Sequence, residues 1–206
     1  MSEFTPVPGT VLPRFAGIPS FMRLPHVPLS DARIGEVEVG LIGAPFDTGT
    51  TNRPGARHAA RQVRDASTMI RAEHGITGMR PFEAMRCADL GDVGPNPADI
   101  ADTLARMETF YDEVAGHGIR PLTCGGDHLC SLPILRALAR GRPLAMIHFD
   151  SHSDLFAGYF GGTRYTHGTP FRRAIEEGLL EPSRVVQIGL RGTAYDTEDR
   201  EFGRAN

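Results

Sequence analysis

Two short clusters hold most of the residues whose types suit chemistry better than packing: Gly125-Gly126-Asp127-His128, and Asp150-Ser151-His152-Ser153-Asp154, with His167 following in a Tyr-Thr-His-Gly-Thr loop. Asp150, His152 and Asp154 fall at every second position, so in an extended segment their side chains project to one side and can share a site. Carboxylate oxygens combined with imidazole suit Mn²⁺ or Zn²⁺, and the excess of oxygen over sulfur donors favours Mn²⁺. His128 would add a fourth ligand, with Gly125 and Gly126 letting the backbone turn sharply beside a crowded site. Asp127 is expected to orient its neighbours.

Simpler readings compete with each piece taken alone. A lone Asp-x-His is common in solvated loops, His148 inside an apolar run reads as a core or supporting histidine, and Cys124 and Cys130 read as small core residues. His26, His58, His74 and His117 are left as surface residues without a role. The combination lifts the clusters above these readings, because both end successive apolar runs and His167 lies downstream. A metallophosphoesterase uses similar pieces, but with Asp-x-His first and an Asn-His segment after it. Here Gly-Gly-Asp-His precedes Asp150, and the order argues against phosphoester hydrolysis.

The elements that must position these clusters alternate between strand and helix. Strands are expected over Glu36–Gly43, Cys87–Asp92, Ile119–Cys124, Leu144–Asp150 and Val185–Leu190. Helices are expected over Ala59–Met69, with Val63, Met69 and Ile70 inward, over Ser131–Arg140 and over Phe171–Glu177. A longer helix from Asn96-Pro97 to about His117 would bury Ile100, Leu104, Met107, Tyr111 and Val114 on one face. Such alternation argues for an α/β fold with a mostly parallel sheet wrapped by helices, whose sites lie beyond the carboxyl ends of the strands. Proline-rich residues 1–35 read as an N-terminal arm on the surface or on a neighbouring subunit, its Phe21-Met-Arg-Leu-Pro patch suited to docking, and residues 36–206 as the main domain.

Composition limits the partners. At 206 residues and 40% hydrophobic content the chain can bury a core, and a formal net charge of −3 with no Lys/Arg cluster excludes a nucleic-acid footprint. No apolar run approaches the roughly 20 residues of a membrane span and no leader pattern opens the chain, so a cytoplasmic protein is expected. Cys87, Cys124 and Cys130 have no Cys-x-x-Cys spacing and read as free thiols.

On these motifs, and from Phe15-Ala-Gly-Ile-Pro and Phe21-Met-Arg-Leu-Pro through Thr50-Thr-Asn-Arg-Pro-Gly-Ala-Arg to Val186-Gln-Ile-Gly-Leu-Arg, the sequence resembles the ureohydrolase family. This is the group of arginase, agmatinase and guanidinobutyrase, which hydrolyse guanidino compounds to urea and an amine. The resemblance implies a three-layer α-β-α arginase-like fold, a small guanidino substrate, a homo-oligomer, and two Mn²⁺ ions that bring water to a nucleophilic state near neutral pH. It places metal ligands on His128, Asp150, His152 and Asp154, gives Asp154 a second role beside the attacking hydroxide, and makes His167 the proton shuttle to the departing amine.

Two departures stand out. Ser151 replaces the alanine usual between the Asp and His ligands, adding a hydroxyl able to bond a carboxylate. The later Ser-Phe-Asp-x-Asp-x-x-Asp-Pro strand, which brings two more ligand aspartates in the family, is not in this sequence, so the expected fold lacks its C-terminal strands. The leading expectation is hydrolysis of agmatine to putrescine. The alternatives are hydrolysis of guanidinobutyrate or guanidinopropionate, and, from a different class, a non-catalytic truncated remnant. Substrate-binding residues are not assigned: Arg53 and Arg164 suit a carboxylate and Asp47 an amine, but each suits a loop salt bridge as well.

Overall fold

Val39–Ala44, the run Val-Gly-Leu-Ile-Gly-Ala, forms β1, a strand apolar on both faces and buried from Gly40 onward, as a central parallel strand must be. The computed structural model describes residues 3–206; the first two residues of the expected arm lie outside the described residues. Strands β2 (Cys87–Asp92) and β3 (Arg120–Gly125) flank β1, both parallel to it. Gly43 brings helix α1 (Ala59–Ala66) close to the sheet: a Cβ there would strike the Asp92 carboxylate and lie 2.8 Å from the Cβ of Ala60. Contact through the smallest side chain overturns the expected inner face. Ala60 is the buried residue of α1, while Val63, Met69 and Ile70 are well exposed, and the helix ends at Ala66 before a 3-10 turn over Ser67–Met69.

The later part of the N-terminal segment, residues 21–27, packs on this sheet. Phe21 and Leu24 join a buried cluster with Leu41, Ala60, Cys87 and Phe82 of the one-turn helix α2 (Pro81–Ala84). Asp89 N donates to Pro25 O and Val27 N to Asp89 O, both at 2.9 Å, so the outer side of β2 is paired. Beneath that contact the Arg64 guanidinium grips the buried Asp89 carboxylate at 2.7 and 2.9 Å, reaches Asp92 at 2.6 Å, and lies 4.2 Å from the centre of the Phe21 ring. Asp89 also accepts from Phe21 N and Gly91 N, so its charge is fully compensated by a planar cation and two amides.

Helix α3 (Ile100–Gly116) buries Leu104, Met107, Tyr111 and Val114, as their spacing requires, while Ile100 at its first position is only half-buried. It begins later than Asn96-Pro97 suggests, because Asn96 turns its side chain onto Ala98 N and Asp99 supplies the cap, accepting from Asp102 N at 3.0 Å. The polypeptide divides into two compact units. One takes the chain up to Pro45 with Gly55–Gly94 and Asp112–Gly126, and the other takes Phe46–Pro54, Pro95–Tyr111 and Asp127–Asn206.

The second unit holds a parallel pair, β4 (Leu144–Phe149) and β5 (Leu180–Ile188), connected through helix α5 (Pro170–Glu176). Helix α4 (Ser131–Leu138) packs against α5, and Arg136 ties to Glu177 at 2.7 Å. Leu129, Leu132, Phe171, Ala174 and Leu180 are its buried residues around these elements. The two-residue period of β4 turns His148 inward and leaves Ile147 and Phe149 outward at 68% and 75% exposure, with Val186 and Ile188 beside them on β5. Helix α6 runs over Glu198–Ala205. The strand ladders are all parallel with helices between strands, which is the α/β class read from the sequence, but the pairing falls into two sheets of three and two strands. None of the three cysteines forms a disulfide, and among the described residues no helix is long and apolar enough to cross a membrane.

Candidate metal centre

The site lies wholly in the second unit. His128 opens a 3-10 turn over His128–Cys130 whose cap is Asp127, the carboxylate accepting from Leu129 N at 2.8 Å. The other Asp127 oxygen accepts from Gly49 N at 2.8 Å, and Asp127 N donates to Phe46 O at 2.7 Å, so one acidic residue pins both the turn bearing His128 and the loop after Phe46. Burial pushes the Asp127 carboxyl up to about 6 despite those two amide bonds.

Four side chains converge: His128, His148, Asp150 and Asp154, with one donor atom of each within 4.8 Å of the others. His128 Nδ1 lies 2.5 Å from Asp154 Oδ2 and 3.8 Å from Asp150 Oδ2, while His148 Nε2 lies 3.7 Å from Asp150 Oδ2. The Phe171 ring stands edge-on to both imidazoles, at 5.1 Å from His128 and 4.6 Å from His148. Burial pulls the His128 pKa down, but the bond to Asp154 and the charges of Asp154 and Asp150 outweigh it and the net shift is upward. For His148, burial and the neighbouring His128 prevail and the shift is downward. Asp150 is held below the usual carboxylate range: burial opposes ionisation, yet the His152 amide and three imidazoles favour it more. Asp154 adopts φ +52, a left-handed conformation that an aspartate tolerates at modest cost and that turns its carboxylate back into the cluster.

His152 is not drawn into this group. The chain does not stay extended past β4: Asp150 Oδ1 accepts from His152 N at 2.9 Å, a local turn that curls the backbone and leaves the His152 side chain 71% exposed at the rim, its Nδ1 3.5 Å from Asp150 Oδ1. Ser151 Oγ bonds the same Asp150 oxygen at 3.3 Å and lies 3.1 Å from His152 Nδ1, so the added hydroxyl does contact a carboxylate. His167 is half-buried, its N donating to Gly49 O at 2.9 Å and its Nε2 2.8 Å from Thr51 Oγ1. Arg164 pairs with Glu176 at 3.1 Å, Arg53 is exposed on the loop carrying Thr51, and Asp47 is buried.

Two imidazoles, two carboxylates and no thiol in the group make a donor set that fits a divalent cation of the Mn²⁺ or Zn²⁺ kind. The sequence reading of His148 as a core or supporting histidine puts it beside the ligands, two residues before Asp150, and the structure draws it into the group. Sequence reasoning missed Thr51, which carried no signal, since only the folded loop brings it to His167.

The chain is 54% identical over 199 residues to a guanidinopropionase of Pseudomonas aeruginosa, covering 97% of this chain and 61% of that protein. It is 44% identical over 200 residues to a guanidinobutyrase of the same organism, covering 97% and 62%. The solved proclavaminate amidino hydrolase of Streptomyces clavuligerus superposes with a TM-score of 0.84 at 37% identity, over 94% of this chain and 63% of that one. The chain thus spans about three-fifths of the relatives it matches. The profile of the arginase family runs through residues 37–206, from the start of the first sheet past every cluster described above, and on that match and these identities the chain belongs to the arginase family.

Proposed function

We propose that the protein hydrolyses a guanidino acid, with guanidinopropionate first among the candidates, to urea and an amino acid. The observation that carries this reading is the 54% identity to a guanidinopropionase over 97% of the chain. Agmatine, the leading expectation from sequence, gives way to the guanidino acids because both of the more similar relatives are named for substrates with a carboxylate at the far end. Arg53, exposed on the loop that carries Thr51, is the candidate partner for that carboxylate.

In this reading His128, Asp150, His152 and Asp154 hold manganese, two ions in the full centre. Bound metal supplies the Lewis acidity that lowers the pKa of water toward neutrality. The chain's own residues do the rest. Asp154, held through Oδ2 beside His128, would take the proton of the attacking water. Water adds to the guanidinium carbon, the bond to the alkyl nitrogen breaks, and that nitrogen leaves as an amine only once it is protonated. His167 delivers the proton, its ring aimed by the 2.8 Å contact to Thr51 Oγ1. The test is urea release by the purified chain with Mn²⁺ and guanidinopropionate, guanidinobutyrate, agmatine or arginine. The expected order of kcat/KM places guanidinopropionate first. Preference for agmatine refutes the carboxylate reading, and bound manganese without turnover on any substrate leaves a metal-binding remnant.

A further inference from the structure

His148 falls within the metal centre by distance, yet its hydrogen bonds give it another task. Its Nδ1 lies 3.0 Å from Gln187 Nε2, and the same Gln187 nitrogen donates to Ser153 O at 2.6 Å. A carbonyl oxygen only accepts, so the amide cannot be flipped: its oxygen would then face Ser153 O at that distance. Gln187 therefore presents NH₂ to both partners and His148 Nδ1 must accept. A neutral imidazole with Nδ1 accepting carries its proton on Nε2, and a protonated Nε2 cannot ligate a metal.

That Nε2–H is buried, in a residue 7% exposed, and has no hydrogen-bond partner. The nearby carboxylate oxygen is Asp150 Oδ2 at 3.7 Å. Asp150 Oδ1 is already held by His152 N and Ser151 Oγ, which leaves Oδ2 as the oxygen turned toward His148 and His128. A modest rotation of the carboxylate satisfies the stranded donor, and an unpaired buried N–H is costly enough to drive it.

We propose that His148 is a positioning residue, not a ligand: Gln187 fixes its Nε2–H tautomer, and that donor orients the Asp150 carboxylate for metal binding. The inference rests on the metal-centre reading above. It assigns the relay Ser153 O, Gln187, His148, Asp150 to holding one ligand, in the way that buried partners of ligating carboxylates tune metal sites.

Mn²⁺ affinity and histidine-ring ¹⁵N NMR test it on the full chain. His148→Phe keeps an aromatic ring against Phe171 and removes the donor; Mn²⁺ binding is expected to weaken about 10- to 100-fold. His148→Gln, which can return an N–H near the Nε2 position, is expected to recover most of that loss, and simple loss of packing would not show this rescue. In the wild-type chain the spectra should show His148 protonated at Nε2 and bare at Nδ1, with and without a diamagnetic divalent ion. Unchanged affinity in His148→Phe overturns the inference, as does the opposite tautomer with Nε2 losing its proton when the ion binds, which makes His148 a ligand. If the wild-type chain binds no divalent ion, the metal-centre reading falls and takes this inference with it.

Discussion

Replacing Asp127 separates the two things it does, because its carboxylate is both a double acceptor and a buried charge. Asp127→Ala removes the acceptor for Gly49 N and for Leu129 N in a residue only 5% exposed. Each amide left unpaired in the interior costs about 1–3 kcal/mol. Asp127→Asn keeps one acceptor oxygen and loses the charge. A carboxyl raised from 3.8 to about 6 stabilises the fold below its unfolded pKa and loses that contribution as pH rises through about 6. At neutral pH the ionised group therefore costs roughly 3 kcal/mol. Asn escapes that cost, so Asp127→Asn is expected to lie near wild type at pH 7.5 and to become relatively less stable below pH 4. Asp127→Ala escapes the cost too but strands both amides, and should melt below Asp127→Asn by about 1–3 kcal/mol, or about 2–10 °C for a chain of this size. Because the same bonds seat His128 and the loop bearing Thr51, Mn²⁺ affinity should follow the same order. Thermal melts and Mn²⁺ titrations at pH 4 and 7.5 provide the readout. Equal melting of the two variants would refute the acceptor argument, and a fixed gap between Asp127→Asn and wild type at both pH values would refute the buried-charge argument.

Three further outcomes follow from the structure. His128 has a folded pKa raised by Asp154 and Asp150 against the pull of burial, so its contribution to stability in chelator-treated protein is present below about 6.5 and fades as pH rises through the folded value, whereas Mn²⁺ affinity strengthens over the same range as the proton leaves; melts from pH 5.5 to 8.5 with and without Mn²⁺ should run in opposite directions. Arg64→Met strands the buried Asp89 carboxylate and should cost about 3–5 kcal/mol by denaturant unfolding, with the Arg64→Met/Asp89→Leu double variant recovering part of it; strict additivity of the two changes would show that the pair is not coupled. His167→Asn should lower kcat for urea release by about 10²–10⁴ while leaving Mn²⁺ affinity unchanged, and a parallel loss of metal would place His167 among the ligands instead.

Most of the architecture was legible because burial imposes simple periods. The continuous apolar run of β1, the three-or-four spacing of Leu104, Met107, Tyr111 and Val114, and Gly-Gly-Asp-His at the end of β3 all survive in the fold. The failures cluster where a polar side chain competes for backbone groups. Asn96 takes an amide for a local turn and delays α3, and Asp150 does the same and ends the extended geometry assumed for Asp150, His152 and Asp154. The inner face of α1 failed for a steric reason: Gly43 lets Ala60 reach the sheet, and the larger apolar Val63, one turn on, is left outside.

The two histidines beside Asp150 show why residue type and spacing stop short of chemistry. His148 sits deeper and closer to the cluster than His152, and by proximity alone it would be taken for the ligand. Proximity does not say which ring nitrogen holds a proton. That is decided two partners away, by the Ser153 carbonyl that fixes the Gln187 amide and so fixes the His148 tautomer. The exposed His152 is tied by its own amide to Asp150, and its ring Nδ1 meets the Ser151 hydroxyl, which can donate or accept, so no fixed donor forces one tautomer on the ring and a bare nitrogen can turn toward a metal. The division of labour is thus set by hydrogen bonds from β5 and the turn after β4, and Gln187, a residue with no chemistry of its own, selects which of two neighbouring imidazoles can bind metal.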